Sequence, residues 1–194
     1  MEHSILDLIK RKHISTDLYH SFEHLKNVGE IAFLIGHREE LSEHECELLR
    51  LAGYFHDFIY MGYKDDLYNV LNSVREFSRV FDTKDPDDNA RIAQMMLYTI
   101  FNGSAHLISN YDDIAYGCMR DADQLASVIY FNKDILHSQY NTFNPNVPLD
   151  TFMTQQKEYY NNLKLYTKTG NALLQEHLPK VYDEYNRILS EGQA

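Results

Sequence analysis

The chain has no tryptophan, two cysteines and four prolines in 194 residues. Cys46 and Cys118 stand far apart with no CxxC pattern. They give neither a disulfide framework nor a thiolate zinc site, and a reducing cytoplasm is the expected setting. Basic residues are also scarce, 18 Lys and Arg against 29 Asp and Glu, for a formal charge of −11 with histidine neutral. No basic run exceeds Lys10-Arg11-Lys12. An extended nucleic-acid surface, which needs clustered cations against phosphate, is therefore not expected. Long apolar runs are missing: none approaches the roughly 20 residues of a membrane-spanning helix. The opening MEHSILDLIKRKH lacks the order of charge, apolar stretch and cleavage site of a signal peptide. Neither GxGxxG nor GxxxxGKS/T occurs, which excludes the glycine-rich phosphate loops.

What remains is ordinary globular composition, 44% hydrophobic and 24% charged. The expectation is one domain over residues 1–194, with no internal repeat and no linker. Apolar residues recur at three- and four-residue intervals, and sustained alternation is absent, so the expected class is all-α, with about eight helices and no real sheet. The spacing predicts helices over 3–13, 21–36, 42–60, 66–81, 86–100 and 112–131, and two C-terminal helices over 149–168 and 171–190. Ser42 with Glu45 forms a capping box, and Asp85-Pro86 reads as an N-cap followed by a first helical position. Residues 132–147 hold Asn141, Asn144, Pro145, Asn146 and Pro148 and read as polar connection without a long regular element. Fifteen tyrosines are expected mainly as half-buried rings between helices.

Chemistry concentrates in scattered histidines and aspartates. His20 and His24 are four apart and share one helical face; His56-Asp57 closes the next helix; Asp121 and Asp123 lie on a later one. Imidazole and carboxylate together suit a divalent ion such as Mn, Fe, Co, Ni, Zn or Mg. Adjacent helical side chains point about 100° apart, so His56 and Asp57 can share an ion only where the helix end lets them converge.

These pieces resemble the HD-domain metal-dependent phosphohydrolases, whose pattern is a histidine, a distant His-Asp pair and a later aspartate. Here they are His24 in EHLKNVGEIA, His56-Asp57 in LAGYFHDFIY and Asp123 in MRDADQLASV. YHSFEH at 19–24 is similar to the YHxxxH opening of a small bacterial subgroup of predicted HD phosphohydrolases. The likeness covers about residues 19–127; the helices expected at 149–190 contribute only length and helicity. It implies an HD-type helical bundle and one divalent ion held by His24, His56, Asp57 and Asp123. Asp123 is preferred over Asp121 for its Ala-Asp-x-Leu context. It further implies hydrolysis of a small phosphorylated substrate, most naturally a nucleotide, with Asp57 and His20 in catalytic roles. Lys64, Arg120 and His106 join His20 as candidates for holding the substrate. Two family positions that carry glutamate are occupied by Val70 and Tyr60. A metal- or nucleotide-binding module without turnover therefore stands as the alternative, with Asp65, Asp66 or Glu76 as carboxylates that could substitute.

Overall fold

The computed structural model describes residues 2–100 and 113–191. Among them, in chain order, are α1 (Glu2–Lys12), β1 (Ile14–Ser15), α2 (Phe22–Arg38), α3 (Glu43–Phe55), β2 (Ile59–Tyr60), α4 (Asp66–Val80) and α5 (Pro86–Leu97). There follow α6 (Ile114–Ile129), α7 (Lys133–Phe143), α8 (Leu149–Asn162) and α9 (Lys168–Glu191). Nine helices among the described residues, against about eight expected, bear out the all-α reading. None of them is long and apolar enough to cross a membrane.

Small polar residues open most helices by accepting a first-turn amide. Ser21 receives the His24 N–H, Ser42 that of Glu45, Asp65 that of Leu67, Asp85 that of Asp87 and Asp113 that of Ala115. The core lies where α2, α3 and α6 meet. Leu25, Val28, Ile31, Ala32 and Ile35 form the buried stripe of α2, facing Leu49, Ala52 and Phe55 of α3 and Met119, Ala122 and Leu125 of α6. The α2–α3 pairing is the most extensive in the molecule. It is close because it is made of glycine: a Cβ on Gly53 would stand 2.5 Å from Gly29 Cα and 2.6 Å from Gly29 N, both backbone atoms that no side-chain rotation can move aside.

Three boundaries differ from the sequence reading, each for a tertiary reason. Helix α3 stops at Phe55 rather than near residue 60. The His56 ring takes the Gly53 carbonyl (Nδ1 to O, 2.8 Å) and Phe58 N–H closes a tighter turn on Phe55 O (3.2 Å), so the helical ladder is not continued. The chain then pairs Ile59–Tyr60 in parallel with Ile14–Ser15, a two-residue ladder too short for any periodicity to announce. Second, α7 is helical within the segment read as connection. Asn132 caps it through the amides of Asp134 and Ile135, and buried Leu136 and Gln139 anchor it. Third, α8 ends at Asn162, and residues 165–167 are held outside the helix. Asp121 of α6 accepts from the amides of Tyr166 (2.9 Å) and Thr167 (2.8 Å), and Asn171 bonds Leu165 on both sides.

The α2–α3 crossing yields a direct expectation. Gly53→Ala places a methyl against backbone and should cost about 1–3 kcal/mol, seen as a melting temperature lowered by about 2–4 °C per kcal/mol. An unchanged melting temperature would show that the helices are not packed this closely.

Candidate metal centre

Antiparallel packing brings the start of α2 and the end of α3 to the same end of the bundle. His24 sits in the first turn of α2, where Ser21 caps the helix through the His24 amide. His56 and Asp57 follow the last turn of α3, so the early stop of that helix lets two adjacent side chains face one point. Asp123 reaches the same point from α6. His56 Nε2 lies 3.1 Å from Asp57 Oδ2 and 3.4 Å from Asp123 Oδ1. His24 Nε2 lies 3.4 Å from Asp123 Oδ1 and 3.9 Å from Asp57 Oδ2.

All four groups are buried or nearly so, with His56 fully enclosed. Because His56 Nδ1 donates to the Gly53 carbonyl, its Nε2 is the atom turned toward the carboxylates. Burial disfavours charge on each group. For His56 the carboxylates of Asp57 and Asp123 outweigh burial and hold the ring well above its usual value. For His24 burial prevails, neighbouring His56 and His20 add to it, and the ring is held below its usual value. Asp57 and Asp123 overcome burial through the adjacent imidazoles and stay below the usual carboxylate range.

The donor set can be tested for fit to a cation without an ion in view. Nε2 of His24 and of His56 are both buried and make no hydrogen bond, a costly state unless something else satisfies them. Ligand atoms each about 2.1 Å from one ion stand about 3.0 Å apart at a right angle and about 3.4 Å apart at a tetrahedral one. The separations above cluster around those values, and one ligand atom each from His24, His56 and Asp123 falls within 4.8 Å of the others. Nitrogen and oxygen donors without thiolate match the borderline-to-hard divalent ions.

Asp121 is not part of this cluster. Fully buried, it turns to the other side of α6, where the amides of Tyr166 and Thr167 and the Thr167 hydroxyl (2.7 Å) bond its carboxylate. Burial raises its pKa despite those bonds. His20 lies beside the cluster, its Nε2 3.8 Å from Asp57 Oδ2 and its ring stacked on Tyr60 at 3.5 Å. His13 is half-buried and bridges the carbonyls of Phe58 (3.0 Å) and His20 (2.9 Å), tying the chain before α2 to the chain after α3.

A cavity of about 450 Å³ opens from His20, Asp57 and Asp123. Lys64 lines it, as do Tyr60 and Tyr63, and so does Asp66 alone of the three carboxylates considered as substitutes. Asp65 is the N-cap of α4, and Glu76 pairs with Arg79 at 3.4 Å. Val70 is buried in the apolar core and does not line the cavity. Arg120 does not line it either. Its guanidinium donates to the Ile100 carbonyl (3.4 Å) and lies 5.5 Å from the Tyr166 ring. His106 lies outside the described residues. Unforeseen were Gln139 and Phe143 of α7 and Gln156, Tyr159 and Tyr160 of α8, which also line the cavity. No motif marks them, because only the folding back of the C-terminal helices gives them a role.

Comparison with solved structures finds the crystal structure of a predicted HD superfamily hydrolase from an uncultured Thermotogales bacterium, 16% identical, over 97% of this chain and 91% of that one, with a TM-score of 0.55. The two proteins share one fold. That likeness bears out the HD-type bundle expected from the motifs. Neither a comparison with models of protein families nor one with curated proteins gives a match.

The two aspartates of α6 can be separated by measurement. Asp123→Ala should weaken divalent-ion binding by about tenfold to a hundredfold or more while the helical circular dichroism persists. Asp121→Ala should leave ion binding intact but cost about 2–4 kcal/mol in thermal unfolding, having stripped three buried donors of their acceptor. The opposite ranking would show that the roles are reversed.

Proposed function

We propose that this chain, as one domain, is a cytoplasmic metal-dependent phosphohydrolase of HD type that acts on a small phosphorylated molecule, a nucleotide. The observation that carries the reading is the convergence of His24, His56, Asp57 and Asp123, with two buried imidazole nitrogens unpaired, at the edge of a cavity of about 450 Å³. Those four residues would hold the ion. When bound, a divalent cation supplies positive charge to a phosphoryl oxygen and makes water a stronger nucleophile. Asp57, which faces both the cluster and the cavity, orients the attacking water. His20, on the cavity side of Asp57, contacts the phosphoryl group when its ring is protonated, and Lys64 at the rim offsets substrate charge. The tyrosines and glutamines that line the cavity suit a neutral, planar portion of the substrate, as in a nucleotide.

The second reading, an ion- or nucleotide-binding module without turnover, is favoured by Val70 and Tyr60 at positions where a carboxylate was expected. Asp66 in the cavity wall weighs against it. Release of phosphate from a panel of nucleotides and simple phosphomonoesters, with Mn, Co, Ni, Mg or Zn supplied in turn, decides between them. The expected result is ion-dependent release that falls roughly a hundredfold or more in Asp57→Ala. Ion binding with no release across the panel would establish the module.

A further inference from the structure

His20 is held by more contacts than a side chain that merely fills a cavity wall requires. Its ring Nδ1 lies 3.0 and 2.9 Å from the two oxygens of Asp17, and Asp17 Oδ1 also accepts the His20 backbone N–H at 2.8 Å. Tyr60 stacks on the ring face with an interplanar angle of 13°. His13 fixes the His20 carbonyl, and the Ser15 hydroxyl accepts the Asp17 N–H at 3.2 Å and donates to the Asp17 carbonyl at 2.9 Å. An ionised carboxylate is acceptor only. Its Nδ1 partner must therefore carry the hydrogen, which leaves Nε2 as the atom presented to the cavity.

We propose that Asp17 is a positioning residue that locks His20 in the Nδ1–H tautomer and aims its Nε2 at the reacting centre. The distance on the far side of the ring supports this aim. His20 Nε2 and Asp57 Oδ2 stand 3.8 Å apart, too far for a hydrogen bond to each other. That is the separation of two groups that each reach about 2.8 Å to a third atom between them. A water in that gap donates to both. The tautomer is a property of the protein alone; its effect on turnover rests on the phosphohydrolase reading.

Asp17→Asn is the decisive variant, because the geometry dictates how it fails. Oδ1 is needed by the His20 backbone N–H, so the amide oxygen stays there and the NH2 group takes the place of Oδ2, which leaves Nδ1 between an acceptor at 3.0 Å and a donor at 2.9 Å. The preference for Nδ1–H is weakened and hydrogen shifts toward Nε2, the wrong tautomer. Long-range proton–nitrogen correlation spectra of imidazole-labelled protein, recorded at alkaline pH where the ring is neutral, read this directly. Wild type is expected to show His20 protonated at Nδ1 and Asp17→Asn to show a larger share protonated at Nε2, with circular dichroism unchanged. In phosphate release, Asp17→Asn should lower kcat by about tenfold to a thousandfold, with KM and bound ion little altered. Added to His20→Ala, the Asp17→Asn change should cost nothing further, since Asp17 acts only through that ring. Wild-type His20 protonated at Nε2, or an Asp17→Asn spectrum whose tautomer populations match wild type, overturns the proposal. Wild type without turnover overturns the activity instead, and the spectra then decide the tautomer by themselves.

Discussion

Backbone meets backbone where α2 crosses α3, and the rest of the structure depends on that contact. Gly29 and Gly53 leave no room for a Cβ at the crossing, which fixes both the spacing of the two helices and their relative position along their axes. His24 lies five residues before one glycine and His56 three residues after the other. With a rise of about 1.5 Å per residue, a slip of a single turn at the crossing would carry the histidines more than a hydrogen bond's length apart. Packing thus sets the geometry in which imidazole nitrogens and carboxylates face one another without hydrogen-bonding.

Helix α6 serves the fold and the site with side chains two residues apart. At about 100° per residue, Asp121 and Asp123 point to nearly opposite sides. One is consumed by the start of α9, the other by the histidine cluster. Burying either carboxylate is unfavourable unless it is paired. Asp121 meets three donors and so stabilises the connection between α8 and α9, which keeps α8 in place as part of the cavity lining. Asp123 meets two imidazole nitrogens with an arrangement better suited to a shared cation than to hydrogen bonds.

Most of the helical architecture was legible from apolar spacing and from the caps Ser42 and Asp85, which signal their helix starts locally. The pattern of His24, His56-Asp57 and Asp123 was legible through its resemblance to the HD-domain motifs, although His56 and Asp57 stand just past the end of α3. Features created by partners distant in the chain could not be read. The end of α3 depends on the His56 ring, the end of α8 on Asp121, and the parallel pairing of β1 with β2 on chain ends brought together by the bundle. Arg120 illustrates the same point. Closeness to Asp123 in sequence does not decide which way a helical side chain turns, and its guanidinium instead meets Tyr166 and the Ile100 carbonyl. Asp17 escaped notice although it lies three residues before His20, since such a spacing outside a helix reads as an ordinary turn.

The central claim is that His24, His56, Asp57 and Asp123 form a site for a divalent cation. Anomalous diffraction at the manganese edge, from crystals of the wild-type protein grown with Mn, tests it most directly. The account predicts one strong anomalous peak among Nε2 of His24, Nε2 of His56 and the carboxylates of Asp57 and Asp123. A map with no peak there at saturating Mn, or with its peak at other residues, would contradict it.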